Sequence, residues 1–260
     1  MNTIAASSEK PFSNGAVLAS YLLEAHFEFL RVLRTPAFAV PTLLFPPMFY
    51  LLFGLLLNRG NHDAAQYLFA TYSVFGVMAP GLFGFGVGVA VERERGWLSL
   101  KRVAPMPPGA YLLAKMAMAA LFAGIIYAAL AAMAAALGGV RLALAQWLLL
   151  GAIAAFGVLP FCALGLVIGS RANAAAAPAI VNFIYLPMAF LSGLWIPLSM
   201  LPGVLSQIAP LWPAYHLAEL ALGVIGQGSS SGSVPWHILA LVAFTAACFA
   251  IARRRLARAE

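Results

Sequence analysis

Charge is scarce in this chain. Asp, Glu, Lys and Arg make up 9% of its 260 residues, against about 25% in an average soluble domain. A soluble fold of this length must cover its surface with polar groups, and there are too few here, so lipid has to solvate much of the outside. Acidic residues are the scarcer sign, and the formal net charge is +7. A basic balance can signal nucleic-acid binding, but these charges sit in clusters between apolar runs, which is the pattern of membrane topology, and no nucleic-acid partner is expected. Cys162 and Cys248 both lie inside apolar runs and read as small buried hydrophobes, not as a disulfide or metal ligands. The four histidines, His26, His62, His216 and His237, are scattered without metal-ligand spacing.

A phosphate-binding loop is also missing. It requires Gly-x-x-x-x-Gly-Lys-Ser/Thr, and none of Lys10, Lys101 and Lys115 follows a glycine. The run Gly84-Phe85-Gly86-Val87-Gly88 lies in an apolar stretch with no strand before it, and the spacing of Gly84 and Gly88 suits helix–helix contact. No apolar core follows Glu9 and Lys10, so no cleavable signal peptide is expected and insertion should use the first true span.

What the chain has in abundance is apolar sequence, 63% of all residues. A bilayer core of about 30 Å needs about 20 apolar residues in helical form. Six stretches meet or approach that length, at about residues 36–57, 67–91, 110–137, 147–169, 177–196 and 236–251. The fold class predicted is an all-α membrane protein with six transmembrane helices in a single domain. An amphipathic helix over about 15–34, with Leu22, Leu23, Phe27, Leu30 and Leu33 near one face and Glu24, His26, Glu28, Arg31 and Arg34 among them, is predicted to lie in the interface. Between spans five and six, Pro197 to Pro235 is too polar to span and too apolar for an ordinary loop. Two short outer helices are expected there, around Leu201–Trp212 and Tyr215–Ile225, dipping into the outer leaflet or lying outside it.

With the N-terminus in the cytoplasm, Lys10, Arg31, Arg34, Arg93, Arg95, Lys101, Arg102, Lys115, Arg171, Arg253, Arg254, Arg255 and Arg258 fall inside, and only Arg59 and Arg141 of the 15 cations fall outside. The positive-inside bias therefore places both termini in the cytoplasm. The middles of the six stretches hold almost no ionisable residue; Lys115 and His237 are near ends, and His216 and Glu219 belong to the outer segment. A proton- or sodium-coupled carrier usually keeps a buried charge for its ion, so the driving energy for any transport is expected from outside these spans. Ser192-Gly193 has no histidine in a partner position and reads as close helix packing.

The most informative polar segment joins spans two and three. Glu92-Arg93-Glu94-Arg95-Gly96-Trp97 runs into Leu100-Lys101-Arg102-Val103-Ala104-Pro105, and a short helix there would present Trp97, Leu100 and Val103, ringed by charge, until Pro105 stops it. Read alone, it is either a partner-docking turn or a solvated basic loop with Trp97 as an interfacial anchor. This segment, together with Phe190-Leu191-Ser192-Gly193-Leu194-Trp195-Ile196-Pro197 and Leu201-Pro202, resembles the permease subunits of ABC-2-type ATP-binding cassette exporters. The likeness runs from the interfacial helix to the last span, with Trp97 standing where that family carries a small or β-branched residue.

The resemblance implies a permease in the inner (cytoplasmic) membrane, paired with a second copy or a close homologue and with two separate ABC ATPase subunits. ATP and Mg would bind in those partners, and this chain would hold no cofactor and no metal. ATPase coupling would fall to Glu92, Arg93, Glu94, Arg95, Gly96, Trp97, Leu100 and Arg102. Cargo would pass along spans one, two and five, where Phe45, Phe49, Tyr50, Phe75, Phe183 and Tyr185 are candidate lining residues; each aromatic can equally be packing or lipid-facing. An amphiphilic cargo suits uncharged spans, whether a drug-like or natural product or a lipid-linked polysaccharide. The rival readings are an ion-coupled or uncoupled transporter, and a membrane enzyme or assembly factor.

Overall fold

The computed structural model describes residues 14–98, 100, 109–229 and 232–258. Helix α1 (Asn14–Leu33) is followed by α2 (Pro36–Phe49), whose Pro36 occupies the first turn, where no N–H is needed. Pro41, Pro46 and Pro47 then withhold donors inside α2. Directly after them the chain widens into a π-helical stretch, Tyr50–Leu56, with the Tyr50 N–H reaching the carbonyls of both Pro46 and Pro47. Helix α3 (His62–Glu94) begins where the Asn61 side chain accepts the Ala64 N–H, a cap that starts the helix five residues before the predicted span. Helix α4 (Ala110–Ala136) follows. The fourth predicted span consists of α5 (Leu144–Phe156) and α6 (Leu159–Gly169), separated at Gly157-Val158 with Pro160 in the first turn of α6.

Among the described residues, five helices are long and apolar enough to cross a membrane: Pro36–Leu56, His62–Glu94, Ala110–Ala136, Leu144–Gly169 and Val234–Arg255. The stretch predicted as span five is α7 (Ala177–Leu191), with 15 residues, roughly 23 Å against a hydrocarbon core of about 30 Å. The reason is local. Gly193 takes φ +77°, the Gly193 N–H donates to the Phe190 carbonyl and the Leu194 N–H to the Ala189 carbonyl. That is the 5→2 and 6→1 pairing of a glycine-terminated helix. Ser192-Gly193, read from sequence as a packing pair within a span, is thus the stop of α7.

The outer segment is a 3₁₀ turn (Leu198–Met200), α8 (Gly203–Ile208), a second 3₁₀ turn (Ala209–Leu211) and α9 (Pro213–Val224). The two short helices are where they were expected, but α9 does not lie on a surface. Tyr215, His216, Leu217, Ala218 and Glu219 are all buried, because the helix packs on α3 and on α10 (Val234–Arg258).

Helix α3 is the axis of the fold. It packs against α2, α4, α6, α7 and α9, and most of its apolar length is inside, whereas α10 is almost wholly on the outside. Its closest neighbour is α6, along a glycine seam. A Cβ on Gly165 would come within 2.8 Å of the Gly81 carbonyl oxygen, and one on Gly169 within 2.6 Å of the Phe85 carbonyl oxygen. The seam lets two backbones touch in an environment where packing and not water drives association.

Candidate functional site

Charged side chains gather at one end of the bundle, where α1, the end of α3 and the start of α4 meet. Lys115, expected near a helix end, is fully buried, and its Nζ lies 2.7 Å from Glu28 Oε1 and 3.0 Å from Glu92 Oε1. Arg31 closes the ring, 2.6 Å from Glu28 and 2.5 Å from Glu92. The Tyr111 hydroxyl donates to Glu92 Oε2 at 2.5 Å. Two acids and two bases balance, and a buried ion is tolerable only in such company. Burial works against the Arg31 charge, but the carboxylates of Glu28 and Glu92 outweigh it and hold its pKa above the ordinary value. Gly88 makes room for this cluster, since a Cβ there would stand 3.4 Å from the Lys115 ammonium. Gly84, one turn away, faces Met118 of α4, so the Gly84/Gly88 pair does mark a helix contact.

The apolar residues of α1 that share a face behave oppositely to a soluble helix. Leu22, Leu23 and Phe27 are exposed, while Glu28 points into the bundle. Sequence pattern found the two faces of α1; it did not find that Glu28 is drawn into the protein, because besides Arg31 one turn away its partner is Lys115, 87 positions distant.

The segment from Glu92 to Leu100 divides into inward and outward residues. Glu92 belongs to the buried ring. Arg93 donates to the Ser170 carbonyl and, at 2.6 Å, to the Ala172 carbonyl. Glu94 accepts the Ala174 N–H at 2.6 Å. The end of α3 therefore grips the turn between α6 and α7. Gly96, at φ +72°, then turns the chain. Beyond it Leu98 packs on the core and Trp97 and Leu100 are exposed, and Arg95, just before the turn, lies 5.2 Å from the Trp97 ring. Arg102, with Lys101 and the Val103–Pro108 stretch, lies outside the described residues.

The aromatic candidates separate in the same way. Phe45, Phe49, Phe75 and Tyr185 line one groove of about 420 Å³ between α2, α3 and α7, joined by Phe38, Phe83, Asn182 and Trp195. Phe49 stacks on Trp195 with centroids 6.3 Å apart, and Phe75 on Tyr185 at 5.1 Å. Tyr50 is not on this groove: it is fully buried, its ring against Gly54 and its hydroxyl donating to the Ala65 carbonyl. Phe183 points away on the outer face of α7, 82% exposed. Trp195 was part of a quoted motif but not of the aromatic set. Its position after the glycine stop of α7 is what folds it back over the groove.

The opposite end is tied by neutral hydrogen bonds. The Tyr67 hydroxyl donates to the Gly193 carbonyl at 2.9 Å and the Gln146 amide to the Val224 carbonyl at 2.8 Å. Two buried histidines join α9 to α10, with His216 Nδ1 and His237 Nδ1 2.9 Å apart. His216 Nε2 lies 2.9 Å from the Pro210 carbonyl and must donate there, so its Nδ1 accepts and His237 Nδ1 donates. Burial depresses the His216 pKa below its ordinary value. Such a group stabilises the fold above the unfolded histidine pKa, and that contribution is lost as pH falls through the lower folded value. The thermal midpoint of the purified protein is therefore expected to drop on acidification below about pH 6.5, and to drop less in His216→Gln. Equal pH profiles for the two proteins would remove His216 as the cause.

Comparison with known proteins covers both the charged cluster and the groove. The model of a family described as ABC-2 type transporter matches residues 21–226, from within α1 to the end of α9. The Bacillus subtilis (strain 168) protein named "Putative transport permease YvfS" is 30% identical over 221 residues, which is 84% of this chain and 89% of that relative.

Proposed function

The chain belongs to the ABC-2 type transporter family of transmembrane transport subunits, and from that membership we propose that it is the permease of an ATP-driven exporter, carrying an amphiphilic or hydrophobic molecule out of the cytoplasm. The charged end faces the cytoplasm in this reading, both termini lie on that side, and α1 rests in the membrane interface on its exposed Leu22, Leu23 and Phe27. Two ABC ATPase subunits dock from below, and a second permease or a close relative completes the pathway. The short α7 then acts as the sixth membrane segment.

One observation carries the coupling part of this reading: the division of residues 92–100. Glu92, Arg93 and Glu94 are fixed to α1, α4 and the α6–α7 turn. That makes a rigid base for the outward Trp97 and Leu100. Exposed aromatic and aliphatic groups on a braced turn are what a docking partner uses as anchors. Of the residues assigned to coupling from sequence, the first three act through the frame, and Arg95, Trp97 and Leu100 are left to touch the ATPase.

The test is reconstitution with the ATPase that co-purifies with the tagged chain. Trp97→Ala combined with Leu100→Asp should cut ATP-dependent export at least about tenfold, the loss expected when interface anchors are removed, with an unchanged thermal midpoint of the isolated permease. Full export by that double variant would refute the docking assignment. Uphill transport by the chain alone, driven by a proton or sodium gradient, would refute the ATP-driven reading.

A further inference from the structure

A hollow of about 520 Å³ lies between α5, α6, α9 and α10 and shares no lining residue with the aromatic groove. Its shape follows from the break at Gly157-Val158, where α5 ends and α6 sets off again. Leu217 of α9 presses into the break: a Cβ on Gly157 would stand 2.6 Å from both Leu217 methyl carbons. Helix α10 packs on α6 and α9, and a slot is left between it and the end of α5. The floor is Gly157, Leu217 and Leu241, all buried, and the rim is Phe156, Ile238 and Val242, all exposed.

The slot sits at mid-membrane depth. The starts of α5 and α10 lie at the same end of the bundle, where Gln146 holds the Val224 carbonyl of α9 and His237 meets His216. Counted from those starts at 1.5 Å per residue, the slot begins about 6 Å down, at Ile238, and ends about 24 Å down, at Pro160. Both limits fall inside a hydrocarbon core of about 30 Å. Thr245 carries the single polar side chain on the walls, and its hydroxyl is already donated to the Leu241 carbonyl at 2.6 Å. A water there would find no second polar partner, and a soluble protein cannot reach this depth. The occupant must enter sideways from the bilayer.

We propose that the slot holds one acyl chain of a membrane phospholipid, lying between α5 and α10 on the α9 floor. The other candidate from the bilayer is a membrane helix of a second copy. Helices that associate in lipid carry small residues where their backbones meet, whereas this slot has its bulk at the rim and its room beneath. A helix about 10 Å across rides on Phe156, Ile238 and Val242 and leaves the floor uncovered. A chain one methylene thick passes between them and packs against the break in span four. The assignment depends neither on ATP nor on the cargo.

The test uses the full chain in phosphatidylcholine nanodiscs doped with a phosphatidylcholine that carries a diazirine at the middle of one acyl chain. After illumination, adducts are located by peptide mass spectrometry. They should concentrate on Leu217, Leu241 and Thr245 and be sparse on Leu239 and Ala243, which lie on α10 outside the slot. Ala246→Trp, at an exposed position on the slot, should cut the slot adducts about tenfold, the scale of losing the burial of about two methylenes, whereas Ala243→Trp should leave them within about twofold. Val242→Trp at the rim is a second blocking variant and should act as Ala246→Trp does. Adducts spread evenly around α10, or equal effects of Ala246→Trp and Ala243→Trp, would overturn the proposal. A disulfide between copies formed by Ala246→Cys and absent from the parent would place a second chain on the slot and overturn it too. Stronger slot labelling by a diazirine fatty acid at the same mole fraction would overturn the phospholipid as the source.

Discussion

Lys115→Met is expected to cost the folded permease about 3–5 kcal/mol, the scale of breaking a buried ion pair from one side. The ammonium is 1% exposed and its two carboxylate partners are 4% and 2% exposed. Removing it leaves two buried acids facing a single cation, Arg31. The defect is electrostatic and not a cavity, because methionine fills a similar volume, so it should be reversible by removing one acid. Lys115→Met with Glu28→Gln keeps Arg31 beside Glu92 at 2.5 Å and restores balance. Thermal midpoints from intrinsic fluorescence in detergent would decide it: a large fall in the single variant and recovery of most of it in the double. A double variant as unstable as the single would mean that Lys115 matters by packing.

Gly165→Leu is expected to disrupt the helix pair at the centre of the bundle. A Cβ there meets the Gly81 and Leu82 carbonyl oxygens at 2.8 and 3.0 Å and the Phe85 Cβ at 2.9 Å. Backbone atoms cannot rotate aside as a side chain can, so α3 and α6 must separate. Overpacking of a tight core costs about 1–3 kcal/mol, and leucine at a backbone contact belongs at the upper end. Gly124→Leu is the control, since nothing lies within 4 Å of a Cβ at that position. The two variants should differ sharply in yield of folded protein and in thermal midpoint; similar behaviour would contradict the seam.

Much of this architecture was legible in the residues themselves. Hydropathy placed the five helices long enough to cross a membrane to within about five residues at each end, because each apolar run had to be long enough to satisfy its backbone in lipid. The shortness of α7 was encoded in Ser192-Gly193 followed by Pro197, a stop signal misread because the surrounding residues are apolar. The buried ring was hidden for a different reason. Glu28, Arg31, Glu92 and Lys115 each sit near a span end, where charge is ordinary, and nothing local says that they converge. The same limit applied to the aromatics: the resemblance pointed to Phe49 and Phe75 along with Tyr50 and Phe183, but which of them share a groove depended on how α2 widened after Pro46-Pro47 and how α7 was rotated.

Arg93 holds the carbonyls of Ser170 and Ala172, and Glu94 holds the Ala174 N–H. The chain from that turn leads straight into α7, which carries Tyr185 on one wall of the groove. Any thrust delivered to Trp97 and Leu100 is therefore conveyed by a crank, not by a single tilting rod: α3 cannot swing without dragging the base of α7 along. The wall bearing Tyr185 and the one bearing Phe75 would travel as a coupled pair, and the aperture would vary chiefly against the proline-weakened α2, the member of the three that is built to yield.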